Sequence, residues 1–474
     1  MSQHGVYYLS LLLGPLLFLS TVVLPAPAGI AGEAWLVCGL AAWMMAWWIT
    51  EVVPLAVTAL LPVIVLPLAG IVGLAEATAP YANPVIFLFL GGFLLALGIQ
   101  SSGLHRRLAF LIVGLGGDRL DHLVAMIMLA TAVLSMWISN TAAAAILLPV
   151  ALSVLALAGQ HGTVRQDVLA PALLIGVAFA ANIGGMATLI GTPPNAIMVA
   201  WLAEQHDIRL SFVGWMVFAL PLSLSLLLIA WYLLVRWSYP LGRGTVPGLA
   251  DGFRQHRAEL GDWTPCERRV AVVFLLAVLA WVLRPLSEDW LPALDDPMIA
   301  LIAGGLLFLV RGSQPGQAVL DWEATRQLPW GVLILIGGGL SLGAAVQGSG
   351  LAEFIAELLR ATTDYPLALL VLVVATVTML ISHVTSNTAA AATLIPVATA
   401  IALNAGIDPL YLAMPVALAA SCAFMLPTAT PPNAIVFASN RLRVTQLIRA
   451  GSLLSIAAIG VLALFATLLA LWIQ

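Results

Sequence analysis

Two near-identical stretches hold the residues best suited to chemistry: WISNTAAAAILLP from Trp137 and VTSNTAAAATLIP from Val384. In each, a Ser-Asn-Thr triplet interrupts an apolar run and is followed by helix formers. Ser, Asn and Thr are strong N-caps, so each triplet marks a helix start. The start of a helix presents unpaired N–H groups and the positive end of the dipole, which attract anions. The hydroxyls of Thr141 and Thr388 and the amides of Asn140 and Asn387 can add donors. The small residues that follow let neighbouring backbone approach closely.

A second pair accompanies them: GTPPNAI from Gly191 and ATPPNAI from Ala429. Two adjacent prolines cannot continue a helical hydrogen-bond ladder, so each pair breaks its helix. The break is expected near Gly191, with carbonyls freed before it and N–H groups after it. Freed carbonyls suit a hard cation such as Na⁺, and a new helix start suits an anion. Thr192, Asn195, Thr430 and Asn433 flank the prolines and favour a site over a simple kink. Duplicate anion-seeking ends fit a doubly charged anion held at both ends. No Arg or Lys lies in the motif-bearing segments. A bare dianion there would be under-compensated, since buried charge is costly unless matched. A cation should therefore accompany it.

The elements that position these motifs are membrane helices. The chain has 474 residues, 62% hydrophobic and 8% charged, with a mean hydropathy of +1.06. Soluble domains are about a quarter charged, so this is an all-α polytopic membrane protein with no room for an extra soluble domain. The net charge of −4 and the absence of lysine give no sign of a nucleic-acid partner. Cys38, Cys266 and Cys422 lack metal or redox spacing and read as packing residues. The N-terminus lacks a basic leader and reads as an uncleaved first helix.

Candidate spans fall near 8–25, 33–50, 53–73, 85–103, 168–202, 211–236, 269–284, 296–311, 329–347, 408–437 and 450–472. The triplet-bearing stretches 123–158 and 366–403 are too long and too interrupted for single spans. They read as re-entrant hairpins, tolerated at depth only when protein or a watery cavity surrounds them. With the N-terminus cytoplasmic and both hairpins re-entrant, only Arg209, Arg284 and Arg360 of the 18 arginines fall outside. That satisfies the positive-inside rule. The polar stretch 238–268 reads as a cytoplasmic linker between a first repeat, 1–237, and a second, 269–474. An offset of 247 residues relates GGFLLALGIQSSGL, ending at Leu104, to GGLSLGAAVQGSGL, ending at Leu351, and also relates Ser139 to Ser386. The proline motifs are offset by 238. Six spans and one hairpin precede the linker, so the two copies enter from opposite faces. Inverted repeats with broken helices indicate a transporter.

At these residues, and at WWITEVVPLAVTALLP from Trp47, the sequence resembles the divalent anion:Na⁺ symporter family, over nearly the whole chain. The resemblance implies eleven spans and two re-entrant hairpins, a homodimer in a bacterial-type inner membrane, and scaffold and transport domains working as an elevator. It also implies Na⁺ as coupling ion, with no organic cofactor. It assigns Ser139, Asn140, Thr141, Ser386, Asn387 and Thr388 to substrate, with Thr192, Pro193, Thr430 and Pro431 nearby. One Na⁺ site would use Ser135, Ser139, Asn140 and the carbonyl of Gly191. The other would use Ser382, Ser386, Asn387 and the carbonyl of Ala429. His383 departs from the acidic or neutral residues more usual there. An intramembrane histidine is a functional candidate, and a protonated one could replace part of a sodium ion's charge. Packing against a backbone carbonyl is the alternative. Glu51 is expected at a helix start as a structural cap.

The leading expectation is Na⁺-coupled symport of a C4-dicarboxylate such as succinate or malate. Na⁺-independent exchange of the same anions stays open through His383, and citrate or sulfate also suit a donor-rich, lysine-free cavity. An intramembrane hydrolase using Ser139 or Ser386 would need a base within reach. Only His383 offers one, and the first half has no match, so no enzyme is expected. A cation antiporter would need buried carboxylates that the motif-bearing spans lack.

Overall fold

The computed structural model describes residues 3–160, 165–242, 244–245, 258, 260–287, 290–314, 316–352, 354 and 365–473. Most of the predicted linker, with Arg243, Arg254 and Arg257, lies outside the described residues, as does Arg360. The described chain is helical, with only two isolated β-bridges, Arg119 with Thr245 and Arg311 with Ala318.

Among the described residues, ten helices are long and apolar enough to cross a membrane, and five shorter apolar helices accompany them. The predicted hairpins are both present. The first consists of Leu120–Ser135 and Asn140–Gln160, and the second of Leu367–Val384 and Asn387–Asn404. The predicted breaks are also present. One span divides into Gln166–Gly185 and Pro193–His206, and another into Leu410–Ala420 and Pro431–Phe437.

Local chemistry explains where these helices begin. Asn83 accepts from the Val85 N–H at 2.9 Å and is followed by Pro84 at the first helical position of Pro84–Ser102. Proline is tolerated there because that N–H has no intrahelical partner. Thr264 and Glu267 form a reciprocal capping box at the start of Pro265–Ser287: the Thr264 N–H donates to the carboxylate at 2.7 Å, and the Glu267 N–H donates to the hydroxyl at 3.1 Å. Glu267 also pairs with buried Arg107 at 3.0 Å, and the same guanidinium donates to the carbonyls of Leu260, Gly261 and Asp262. Residues 260–267 are thereby fixed to the helix Leu104–Val113. A buried charge is tolerated here because it is paired and hydrogen-bonded through all three of its nitrogens.

Packing brings the two repeats together by exchange. Gln166–Gly185 lies against both legs of the first hairpin, and every residue from Leu169 to Gly185 is buried. Leu410–Ala420 does the same for the second hairpin. Beyond each break the partners swap: Pro193–His206 packs on Asn387–Asn404 of the second hairpin, and Pro431–Phe437 packs on Asn140–Gln160 of the first. The alanines after each triplet permit this approach, with Ala143, Ala144 and Ala389 to Ala391 at most 1% exposed.

The paired glycines that mark the repeats are also points of close contact. A Cβ on Gly91 would collide with the Ala300 backbone, and one on Gly338 with the Ala59 carbonyl. Gly339 has open space beside it. Overpacking of this kind costs about 1–3 kcal/mol. Gly338→Ala is therefore expected to lower the apparent melting temperature of the detergent-purified protein by several degrees, with Gly339→Ala close to wild type.

Candidate functional site

Ser139 and Ser386 cap the helices at the two hairpin tips. The Ser139 hydroxyl accepts from the Ala142 N–H at 3.2 Å, and the Ser386 hydroxyl accepts from the Ala389 N–H at 3.1 Å. Each cap satisfies one donor of its helix start. The N–H groups of Asn140 and Thr141, and of Asn387 and Thr388, occupy the first two helical positions, where no intrahelical acceptor exists.

The broken spans are built differently. Pro193 and Pro194 fill the first two positions of one helix, and Pro431 and Pro432 those of the other, so neither position has an N–H. The third N–H is already used: Asn195 donates to the Thr192 carbonyl at 3.2 Å, and Asn433 to the Thr430 hydroxyl at 3.4 Å. The expectation that these helix starts present N–H groups to an anion is thus corrected. Their prolines strip the donors, and what remains on the chain around the break is carbonyl and hydroxyl oxygen.

Asn195 and Asn433 close the breaks from within. The Asn195 amide donates to the carbonyls of Gly185 at 3.2 Å and Thr188 at 2.8 Å. The Asn433 amide donates to those of Ala423 at 3.1 Å and Leu426 at 2.9 Å. Positions 185 and 423, like 188 and 426, keep the offset of 238. Both asparagines are fully buried.

Next to each tip, oxygens converge. The Ser135 hydroxyl is 2.7 Å from Asn140 Oδ1 and 2.6 Å from the Ala181 carbonyl. The Ser382 hydroxyl is 2.9 Å from Asn387 Oδ1 and 2.6 Å from the Ala420 carbonyl. A hydroxyl has one hydrogen, so it can donate to only one of its two oxygen neighbours at a time. Each cluster is rich in oxygen and short of protons, which is the donor set of a hard cation. The first is tight: a Cβ on Gly185 would collide with the Asn140 side chain.

Both tips and both breaks meet at one cavity of about 230 Å³. Its lining includes Ser139, Asn140, Thr141, Ser386, Asn387, Thr388, Gly191, Thr192, Pro193, Ala429 and Pro431. Thr430 lies behind it, where its hydroxyl accepts from Asn182 Nδ2 at 3.0 Å. That bond ties the helix Gln166–Gly185 to the break 248 residues on. Ser135 and Ser382, fully buried, support the tips from below. No charged side chain is among the lining residues.

Other expected residues lie apart from the cavity. His383 is buried, with Nδ1 2.6 Å from the Met379 carbonyl and Nε2 accepting from the Met425 N–H at 3.2 Å. These partners select a neutral ring with its proton on Nδ1. Glu51 follows the end of Gly32–Thr50 rather than standing at the start of a helix, and its carboxylate accepts from the Ser386 N–H at 2.9 Å. It caps a helix, but one that lies 335 residues away. Sequence reasoning missed Asn182, Ala181, Ala420, Phe93, Pro329 and Val332. Asn182 is signalled by the isolated polar residue it places in an otherwise apolar run. The others contribute only backbone or apolar surface, for which single residues give no signal.

Duplicated hairpins and broken helices that converge on an uncharged polar cavity define a secondary transporter. The model of the sodium:sulfate symporter transmembrane region matches residues 6–474, and the chain belongs to that family. It is 36% identical over 464 residues to the sodium-dependent dicarboxylate transporter SdcS of Staphylococcus saprophyticus, covering 96% of this chain and 89% of the relative. It is likewise 36% identical over 453 residues to SdcS of Staphylococcus aureus, covering 94% and 87%. In fold it is similar to the crystal structure of the Alcanivorax borkumensis YdaH transporter, with a TM-score of 0.58 at 16% identity over 82% of this chain and 86% of that one.

Removing an amide staple leaves buried carbonyls unsatisfied, at a cost of about 1–3 kcal/mol. Asn433→Leu should accelerate hydrogen–deuterium exchange across residues 421–430 and lower the melting temperature, while exchange across 183–192 stays near wild type. Asn195→Leu should reverse the two regions.

Proposed function

We propose that this chain is a Na⁺-coupled symporter of small dicarboxylates, with succinate- or malate-like C4 dianions as preferred cargo. The observation that carries this reading is the convergence of both Ser-Asn-Thr tips and both proline breaks on one cavity without charged side chains. The two hairpin starts supply N–H, hydroxyl and amide donors for the two ends of a dianion. The Ser135–Asn140–Ala181 and Ser382–Asn387–Ala420 oxygen clusters supply cation sites beside them, with Gly191 and Ala429 adding backbone carbonyls. Each Na⁺ offsets charge that no arginine is present to offset. The names of the staphylococcal relatives support both the cargo class and the coupling ion.

The neutral, backbone-bonded ring of His383 supports Na⁺, rather than an imidazolium, as the positive partner, and so weighs against Na⁺-independent exchange. Protonating Nε2 would cost the bond from the Met425 N–H. The hydroxyls of Ser139 and Ser386 serve as caps and both ring nitrogens of His383 are taken by backbone groups, which weighs against a nucleophile–base pair of a hydrolase.

The wider organisation proposed is a first repeat over 1–237, a cytoplasmic linker over 238–268 and a second repeat over 269–474. The protein would act as a homodimer in the bacterial cell membrane, with its N-terminus cytoplasmic and a transport domain bearing both hairpins moving elevator-fashion against a scaffold domain.

In proteoliposomes, uptake of labelled succinate is expected to require an inward Na⁺ gradient and no internal counter-substrate. Uptake that ignores Na⁺ but needs internal dicarboxylate would establish exchange instead, and stronger competition by sulfate or citrate than by malate would reassign the cargo. Asn140→Ala and Asn387→Ala should each abolish succinate binding by calorimetry. Ser135→Ala and Ser382→Ala should raise the half-saturating Na⁺ concentration about tenfold, equivalent to about 1.4 kcal/mol.

A further inference from the structure

The two hairpin tips are alike in sequence and capping, yet among the described residues a carboxylate bonds only one of them. Glu51 Oε1 accepts from the Ser386 N–H at 2.9 Å. Among the described residues no side chain does the same for the N–H of Ser139.

Glu51 is held in place by its own turn. Its φ of 48° and ψ of 25° lie in the left-handed region, and it is one of three non-glycine residues with positive φ among the described residues. Such a conformation is uncommon for a residue with a side chain and is kept when surroundings enforce it. Here Trp48, 1% exposed, donates its indole N–H to the Leu55 carbonyl at 3.3 Å and closes the turn from below. Pro54 then restricts the chain entering Leu55–Thr58, and the Tyr81 hydroxyl donates to the Ala59 carbonyl just beyond. The backbone that carries this exposed carboxylate is therefore braced, at the end of a helix that carries none of the cavity-lining residues.

Its position has an electrostatic consequence. A helix start favours a negative charge within its first turn, and Glu51 already places one there. An anion bound to the next N–H groups, those of Asn387 and Thr388, would sit close to that carboxylate and be repelled by it. We propose that Glu51 is a positioning residue: a fixed carboxylate that tethers the second hairpin tip through the Ser386 N–H and competes with anionic cargo for that helix start. The first tip lacks this competitor and takes cargo more readily. The proposal rests on the assignment of the tips to the anion.

Two readouts test it separately. Hydrogen–deuterium exchange over residues 382–392, measured in detergent without substrate, is expected to rise at least threefold in Glu51→Ala relative to wild type, with residues 135–145 unchanged. Equal exchange at the second tip in both proteins would overturn the tether, whatever the protein transports. In succinate uptake, Glu51→Gln, which keeps an acceptor but removes the charge, is expected to lower KM about fivefold and also to lower Vmax. A KM for Glu51→Gln equal to that of wild type would overturn the competition. Wild-type uptake in the same vesicles reports on the assignment of function itself, so a failure there is distinguishable from a failure of the Glu51 variants.

Discussion

A polypeptide that interrupts its helices inside a membrane must find partners for the backbone groups it frees, because hydrocarbon supplies none. Every feature of the site follows from how this chain meets that requirement four times. At the hairpin tips, a serine caps one donor and the next N–H groups have no intrahelical acceptor. At the breaks, double prolines delete donors, and a buried asparagine binds the loop carbonyls. N–H groups are gathered at one kind of interruption and carbonyl oxygens at the other. An anion and a cation can then be held side by side without a basic side chain.

The duplication is close but not complete. The serine caps, the serine–asparagine–carbonyl clusters and the asparagine staples recur in both halves, which argues that each does the same physical work twice. Asymmetry enters at a few contacts. Asn182 reaches across to Thr430 with no amide in the corresponding place of the other half, since Ala420 and Ser421 stand there. Gly185 makes room for Asn140, whereas its counterpart is Ala423. A symmetric pocket thus has two chemically distinct ends.

The charged residues play supporting parts at the margins. Arg107 locks residues 260–267, while Arg119 and Arg236 both pair with buried Asp121, at 2.9 and 3.1 Å. Asp121 begins the first hairpin, and its backbone carbonyl also accepts from the Trp231 indole at 2.9 Å. Arg236 and Trp231 therefore hold the hairpin's mouth to the helix Phe212–Ser238. The charges of Arg107, Arg119 and Arg236 are thus used in pairs away from the cavity, whose lining has no charged side chain.

Much of this was legible in the residues themselves. Long apolar runs demand spans, repeated triplets demand repeated helix starts, and paired prolines demand breaks, because each follows from local hydrogen bonding and hydropathy. The hairpins and both breaks fall where those rules place them. Four things depended on the tertiary structure. The exchange of half-helices between repeats, which creates a single cavity, is set by long-range packing. Which carbonyls Asn195 and Asn433 bind is set by how each loop folds back on its break. The neutral state of His383 is set by the Met425 N–H, 42 residues on. Glu51 became a neighbour of the second tip through a contact spanning 335 residues. Local rules describe what a segment offers, and only the fold decides which offers meet.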